Sequence, residues 1–434
     1  MGSLFNKTAQ TPQIDLSPVL DGNASIERRV AFLESETMRA RRTALLAVEL
    51  QGFDAAVASR PGKRILVAGW YGADNLGDEL MLRAVLNHLP EEALDRTAVL
   101  LWDNSTYDRL SLDPRIHAIH YPASTRELDA LVDHFDVVVW GGGAILDDAQ
   151  FNDDANNFNT GNLFIRINEL MIGRGKQVYC LGLSANEQVS GKRYIEHLKH
   201  IARHAAHFSL RDSRSIETLA RCGISKQLLH ACEDLVFSFD MQDRSDHAKT
   251  DGYTIGFILF HGDTPLETYA RMIAGVVDAA KTVVEGKTTE VLLIPFLNEG
   301  HFDDRMNAEL KGLLANLNAD VDLADYTLDV SSSPIRRCDA VVCYKYHAAL
   351  IACSYGIPCL IASRGENAHY ANKMTHLAHL AGIEDCLHSA ENFNANSAAI
   401  FADFLELQSL PAIDANVHQN ATKYLTEICD KIAN

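Results

Sequence analysis

Three basic side chains stand where they could hold an anion and move a proton. "CYKYHAALIACSYGIPCLIAS" sets Lys345 and His347 two residues apart, between a short apolar run and a helical pattern that ends near Tyr355. Gly356 stops that helix and Pro358 opens the next strand. Arg211, in "FSLRDSRSIETLARCG", follows another apolar run directly and precedes a helix that Asp212 or Ser213 can cap. A guanidinium there can fork onto a carboxylate or phosphate, or pair with Asp212 or another neighbour. His347 has the chemistry of a general acid. A helix N-terminus depresses an imidazole pKa, however, so the proton is held only beside a bound dianion or a carboxylate.

Two glycine-rich stretches supply acidic groups and bare backbone. "GWYGADNLGDE" runs from Gly69 to Glu79 after "KRILVA". Gly72 and its companions permit close backbone approach to a ligand. Asn75 is placed to cap the following helix, with Asp78 and Glu79 in its first turn. Those carboxylates read either as dipole partners of the helix or as a base for a sugar hydroxyl. No GK[ST] follows, and the spacing is not GxGxxG. In "WGGGAILDD", the glycines Gly141, Gly142 and Gly143 point to amides facing a ligand, with Asp147 and Asp148 as weaker base candidates. No dense ligand cluster demands a metal, so none is expected.

These residues need strands and helices to place them. From Lys63, strand patterns fall at Arg64–Trp70, Ala98–Trp102, Asp136–Trp140, Gln177–Leu183, His207–Leu210 and Leu228–Ala231, several of them separated by helical patterns. A second set follows at Tyr253–Phe260, Val291–Pro295, Ala340–Cys343 and Cys359–Ser363. Strands alternating with helices predict parallel sheets covered by helices, whose ligands lie beyond the carboxyl ends of the strands. "DVVVWGGGA" and "DAVVCYKYHA" echo each other across the halves. The expected fold is α/β, with two Rossmann-like domains facing a cleft in a GT-B-like arrangement. The expected divisions are a mostly helical extension over 1–60, domains over 61–245 and 246–400, and a helical tail over 401–434 placed to pack back on the first domain.

The net charge of −19 argues against non-specific nucleic-acid binding but leaves room for a basic cleft. Nine cysteines, an odd number without a CxxC, read as reduced thiols of a cytoplasmic protein. The start has no signal-peptide core, no apolar run is long enough to span a membrane, and "MGSLFN" lacks the Ser or Thr of a myristoylation signal. The helical pattern in the extension carries an apolar stripe including Ile26, Val30, Leu33 and Phe53, and basic residues such as Arg28, Arg29 and Arg41. It suits packing on the body, self-association into a homo-oligomer, or peripheral association with an anionic inner membrane face.

Taken in order, "GWYGADNLGDE", "GGGAILDD", "SLRDSRS", "CEDLVF" and "KYHAALIACSYGIPCLIAS" resemble the polysaccharide pyruvyl transferase family over roughly Arg64 to Lys373. The resemblance implies a GT-B-like fold and transfer of the pyruvyl group of phosphoenolpyruvate to a sugar of a cell-surface polysaccharide. It implies a cyclic ketal product, with phosphate released. Phosphoenolpyruvate is then a donor substrate, not a cofactor, and the acceptor is a sugar or lipid-linked oligosaccharide. Carried over, Arg211, Lys345 and His347 hold the donor, and His347 is the acid. The family usually has Arg where Lys345 stands; Lys keeps the charge and loses the fork, which implies altered donor binding. The competing readings are a GT-B-type glycosyltransferase using a nucleotide sugar and a non-catalytic glycan-binding member.

Overall fold

Short runs of β-branched and aliphatic residues, buried on both faces, build the two sheets of this chain. The structure, a computed structural model, describes residues 45–102, 107–152, 157–241, 252–262, 264–284, 287–315, 320–364, 368–407 and 412–434. Most of the expected N-terminal extension and residues 242–251, around the expected boundary between the domains, lie outside those residues.

The first sheet contains β1 (Ile65–Ala68), β2 (Thr97–Leu101), β3 (His117–His120), β4 (Val137–Leu146), β5 (Gln177–Ala185), β6 (His207–Leu210) and β7 (His230–Ala231). Its spatial order is β3-β2-β1-β4-β5-β6-β7, and all pairs are parallel. The second contains β8 (Tyr253–Ile258), β9 (Thr289–Leu293), β10 (Asp320–Leu323), β11 (Ala340–Cys343), β12 (Cys359–Ser363) and β13 (Leu387–Ser389), also parallel, in the order β10-β9-β8-β11-β12-β13. Both follow the 3-2-1-4-5-6 order of doubly wound sheets, with a crevice where the winding reverses. The reversals fall between β1 and β4 and between β8 and β11. The two-domain α/β expectation holds.

The domains meet through backbone. Leu76 N–H donates to Phe296 O at 3.0 Å and Asn298 N–H to Asp74 O at 2.9 Å, on either side of a β-bridge between Asn75 and Leu297. The last helix, Ala415–Ala433, lies on the first domain. His418 Nδ1 pairs with Phe237 O at 2.9 Å, and the Tyr424 hydroxyl with Ser209 Oγ at 2.6 Å. It buries Leu425, Ile428 and Ile432, each stabilising by roughly 1.5–3 kcal/mol. Among the described residues, no helix is long and apolar enough to cross a membrane, and all nine cysteines are free.

One of the expected strands is twice its expected length. β4 does not end at Trp140 but runs on through the three glycines, pairing Gly141 with Leu181 and Gly143 with Leu183 before a register shift. The reason is the helix Leu76–His88, which lies across it. A β-carbon at Gly141 would stand 2.6 Å from the Tyr71 hydroxyl, and one at Gly142 would collide with Met81 Sδ. Gly142 also has φ +83. Gly142→Ala is therefore expected to lower stability by roughly 1–3 kcal/mol, read from a urea unfolding curve. An unchanged midpoint would show that the helix does not press on this strand.

Candidate active site

A cavity of about 440 Å³ opens between the domains, at the carboxyl edge of the first sheet. The loop after β1 contributes Trp70 and Asn75, the first turn of the helix Leu76–His88 contributes Asp78, and the last part of β4 contributes Gly143. Arg211 enters after β6, and His347 and Lys373 come from the second domain.

Arg211 is buried, and its Nη1 donates to Asp234 Oδ2 at 2.7 Å. Burial works most strongly against the charge, but Asp234, with Tyr346 and Asp212 adding to it, outweighs burial and raises the Arg211 pKa. The guanidinium also lies 5.0 Å from the centre of the Tyr346 ring, a favourable cation–π distance. The Asp234 carboxyl is opposed by burial, yet Arg211 and then His347 hold it well below the usual carboxylate range. Its second oxygen accepts from Val236 N–H at 3.0 Å and caps the turn Leu235–Ser238.

His347 Nε2 stands 3.6 Å from the same Asp234 oxygen, too far for a good hydrogen bond, and has no hydrogen-bond partner. The opposite ring edge meets the start of the helix Leu76–His88, where a β-carbon at Gly77 would collide with it. Burial lowers the His347 pKa, Asp234 works the other way, and Arg211 and Lys373 add to the lowering. With its pKa held below the ordinary value, the imidazole favours the neutral form at pH 7.

Asp78 faces this basic wall. Burial raises its carboxyl to about 7, against the pull of Arg211 and Lys373, and Asn75 Nδ2 donates to it at 2.6 Å. Asn75 holds the N-cap position without a side-chain capping bond; its amide serves Asp78 instead. Burial lowers the Lys373 ammonium to about 7, with Arg211 adding and Asp78 and Asp234 opposing.

Other expected site residues lie elsewhere. Glu79 is buried beneath the loop, where Oε1 accepts from Gly72 N–H at 2.8 Å and Ala73 N–H at 3.2 Å. It braces the turn in which Gly72 takes φ +80, and neither residue lines the cavity. Gly141 and Gly142 pack against Tyr71 and Met81 and do not line the cavity, which leaves Gly143 as the glycine of the three on the cavity wall. Asp147 caps the turn Asp148–Gln150, and Asp148 Oδ2 accepts from Ser190 and Gly191 N–H at 2.7 Å each. Lys345 lies off the cavity wall. Its Nζ donates at 2.8 Å to buried Asp303, whose same oxygen accepts from Phe296 and Leu297 N–H. Lys345 therefore ties the His347 helix to the loop that bridges the domains.

Sequence reasoning singled out neither Asp234 nor Lys373. An acid three residues beyond β7 and just before the buried run "LVF" was a signal for Asp234. Lys373 sits within the helix Ala368–Ala381, where a lysine is ordinarily a solvated group, and carried no signal.

A family model described as polysaccharide pyruvyl transferase matches residues 75–365. Among curated proteins, none matches the chain. Solved structures that share the fold include the UDP-GlcNAc 2-epimerase of Methanocaldococcus jannaschii, with 10% identity over 84% of this chain and 98% of that one, at a TM-score of 0.55. A putative UDP-N-acetylglucosamine 2-epimerase of Listeria monocytogenes has 10% identity over 85% and 97%, at 0.52. The UDP-GlcNAc 2-epimerase of Neisseria meningitidis, bound to UDP-GlcNAc, has 12% identity over 85% and 99%, at 0.50. At such identities the likeness concerns the GT-B-like fold alone.

Proposed function

The chain belongs to the polysaccharide pyruvyl transferase family, and from that premise we propose that it moves the pyruvyl group of phosphoenolpyruvate onto two hydroxyls of a sugar in a polysaccharide or its precursor. The observation that carries this reading is the convergence of Arg211, Lys373, His347 and Asp78 on one cavity. It offers two cations, a proton donor and a proton acceptor within a single space.

In this reading the carboxylate and phosphate of the donor face Arg211 and Lys373. Two anionic groups brought beside His347 favour its charged form and reverse the effect of burial. The imidazolium gives its proton to the methylene carbon, and positive charge develops at the adjacent carbon, shared with oxygen. An acceptor hydroxyl attacks that carbon and loses its proton to Asp78, whose raised pKa suits a base working near neutrality. The carbon–oxygen bond to phosphate breaks, and the second hydroxyl closes the ketal. The gain of one proton by the methylene carbon and the departure of one with phosphate balance the two hydroxyl protons lost. Lys345 takes a supporting place, because its charge is already matched by Asp303.

Calorimetric titration tests the donor. Phosphoenolpyruvate should bind saturably, and Lys373→Gln and Arg211→Ala should each weaken it by about 10-fold or more, since a charge-assisted bond contributes roughly 1.5–3 kcal/mol. Binding of a nucleoside diphosphate in place of phosphoenolpyruvate would move the assignment to glycosyl transfer.

A further inference from the structure

One part of the cavity wall carries no cation. It is built by the loop after β1 and by the first residue of the helix Thr160–Gly173. Trp70 lines it, half-buried, with its other side packed on Trp102 at 5.0 Å between ring centres. The neighbouring Tyr71 is fully turned inward and donates its hydroxyl to Gly141 O. The aromatic pair therefore divides its labour: Tyr71 fills the core, while Trp70 is left against the cavity.

Thr160 lines the same wall. It is only 4% exposed, and its hydroxyl has no hydrogen-bond partner. A buried hydroxyl without a partner costs roughly 1–3 kcal/mol, so a ligand that meets it removes that cost. On the same cavity, Asn75 and Asp78 offer an amide already oriented by a carboxylate. An indole face, a hydroxyl, an amide and a single carboxylate suit a neutral polyol with one apolar face. They do not suit a second phosphate.

We infer that this wall is the acceptor subsite: the Trp70 ring is the platform for the C–H face of a pyranose, and Thr160 and Asn75 meet its hydroxyls so that one of them faces Asp78. The assignment rests on the proposed reaction for the identity of the acceptor, but its geometry requires only that a sugar bind. It sets acceptor and donor on different walls of one cavity, with the attacking hydroxyl between Asp78 and the donor held by Arg211 and Lys373. It also makes Trp70 a specificity determinant, because a pyranose whose axial hydroxyls spoil the apolar face stacks poorly.

The test is ligand-observed saturation-transfer NMR with methyl β-D-galactopyranoside, methyl β-D-glucopyranoside and methyl α-D-mannopyranoside on the full chain. At least one glycoside should saturate, with the strongest transfer to ring protons of one face. Trp70→Ala should weaken it by about 10-fold or more, Trp70→Phe much less, and Thr160→Val by about 5-fold, as expected for an aromatic face and one hydrogen bond. Phosphoenolpyruvate titrated into the same variants should bind as in wild type, which also checks that they fold. Equal glycoside affinity in wild type, Trp70→Ala and Thr160→Val, or no saturable glycoside while phosphoenolpyruvate binds, overturns the subsite. Glycosides that behave as expected beside a protein indifferent to phosphoenolpyruvate would leave the subsite standing and remove the proposed donor.

Discussion

His347→Ala is expected to lower kcat by about 1,000-fold or more, within the range for loss of a positioned general acid, while the circular dichroism spectrum and urea midpoint stay near wild type. Stability should hold because the ring nitrogen nearest Asp234 makes no hydrogen bond: it stands 3.6 Å from Asp234 Oδ2, and Asp234 remains paired with Arg211. His347→Gln keeps a polar side chain without a titrating proton and should be equally inactive. Phosphoenolpyruvate should still bind both variants, since the cations that face it are untouched. A folded His347→Ala protein with near-normal turnover would eliminate the imidazole as the acid and leave Lys373 the nearest alternative.

The pH profile follows from the same groups. In the free enzyme burial places the His347 pKa below its ordinary 6.5 and raises Asp78 to about 7. The acid must start protonated and the base ionised, so only a minor fraction of free enzyme is correctly charged at any pH. The profile of kcat/KM should be a narrow bell that reports the coupled pair. Phosphoenolpyruvate bound as proposed should raise the His347 pKa and carry the alkaline limb of kcat to higher pH than that of kcat/KM. Asp78→Asn removes the base and should abolish the ascending limb.

The parts of this fold that read clearly in the sequence are those where burial is complete. Val137–Trp140, Ala340–Cys343 and Cys359–Ser363 are uninterrupted apolar runs because helices cover both faces. The strands without such a signal are β3, β10 and β13, all at sheet edges: "HAIH", "DVDL" and "LHS" are half-solvated and carry polar residues. For the site, position after a strand found Arg211, His347 and Asp78, since topology puts those loops at the crevice. What position could not give was direction. Asp78 and Glu79 are adjacent, yet one lines the cavity and the other braces a turn. Lys345 and His347 are two apart, and the helix that begins between them turns one toward Asp303 and the other toward Asp234. Glycine runs mislead for a related reason. They mark a close approach, but at Gly142 the approaching group is Met81, not a substrate.

Asp234→Asn should be among the most destabilising single changes in the first domain, at about 3–5 kcal/mol, because it leaves the buried Arg211 without its counter-charge. Asparagine preserves the shape and the oxygen that caps Val236, so the loss reports charge and not packing or capping. The sign with pH is definite. The folded Asp234 pKa is depressed, so the carboxylate adds stability above its unfolded value of about 3.9, and that contribution fades only as pH falls through the lower folded value. Wild type should therefore keep the pair through mildly acid conditions, and the variant should be weak across the whole range. The test that separates this account from a general packing defect is rescue by an anion. With its internal partner gone, Arg211 still lines the cavity, and an anion that occupies it stabilises the folded state by about 2.7 kcal/mol at 100 times its dissociation constant. Inorganic phosphate or phosphoenolpyruvate should raise the unfolding midpoint of Asp234→Asn more than that of wild type, and Asp234→Asn combined with Arg211→Met should lose the response. A variant as stable as wild type, or one indifferent to both anions, would mean that Arg211 is neither held by Asp234 nor available to a donor.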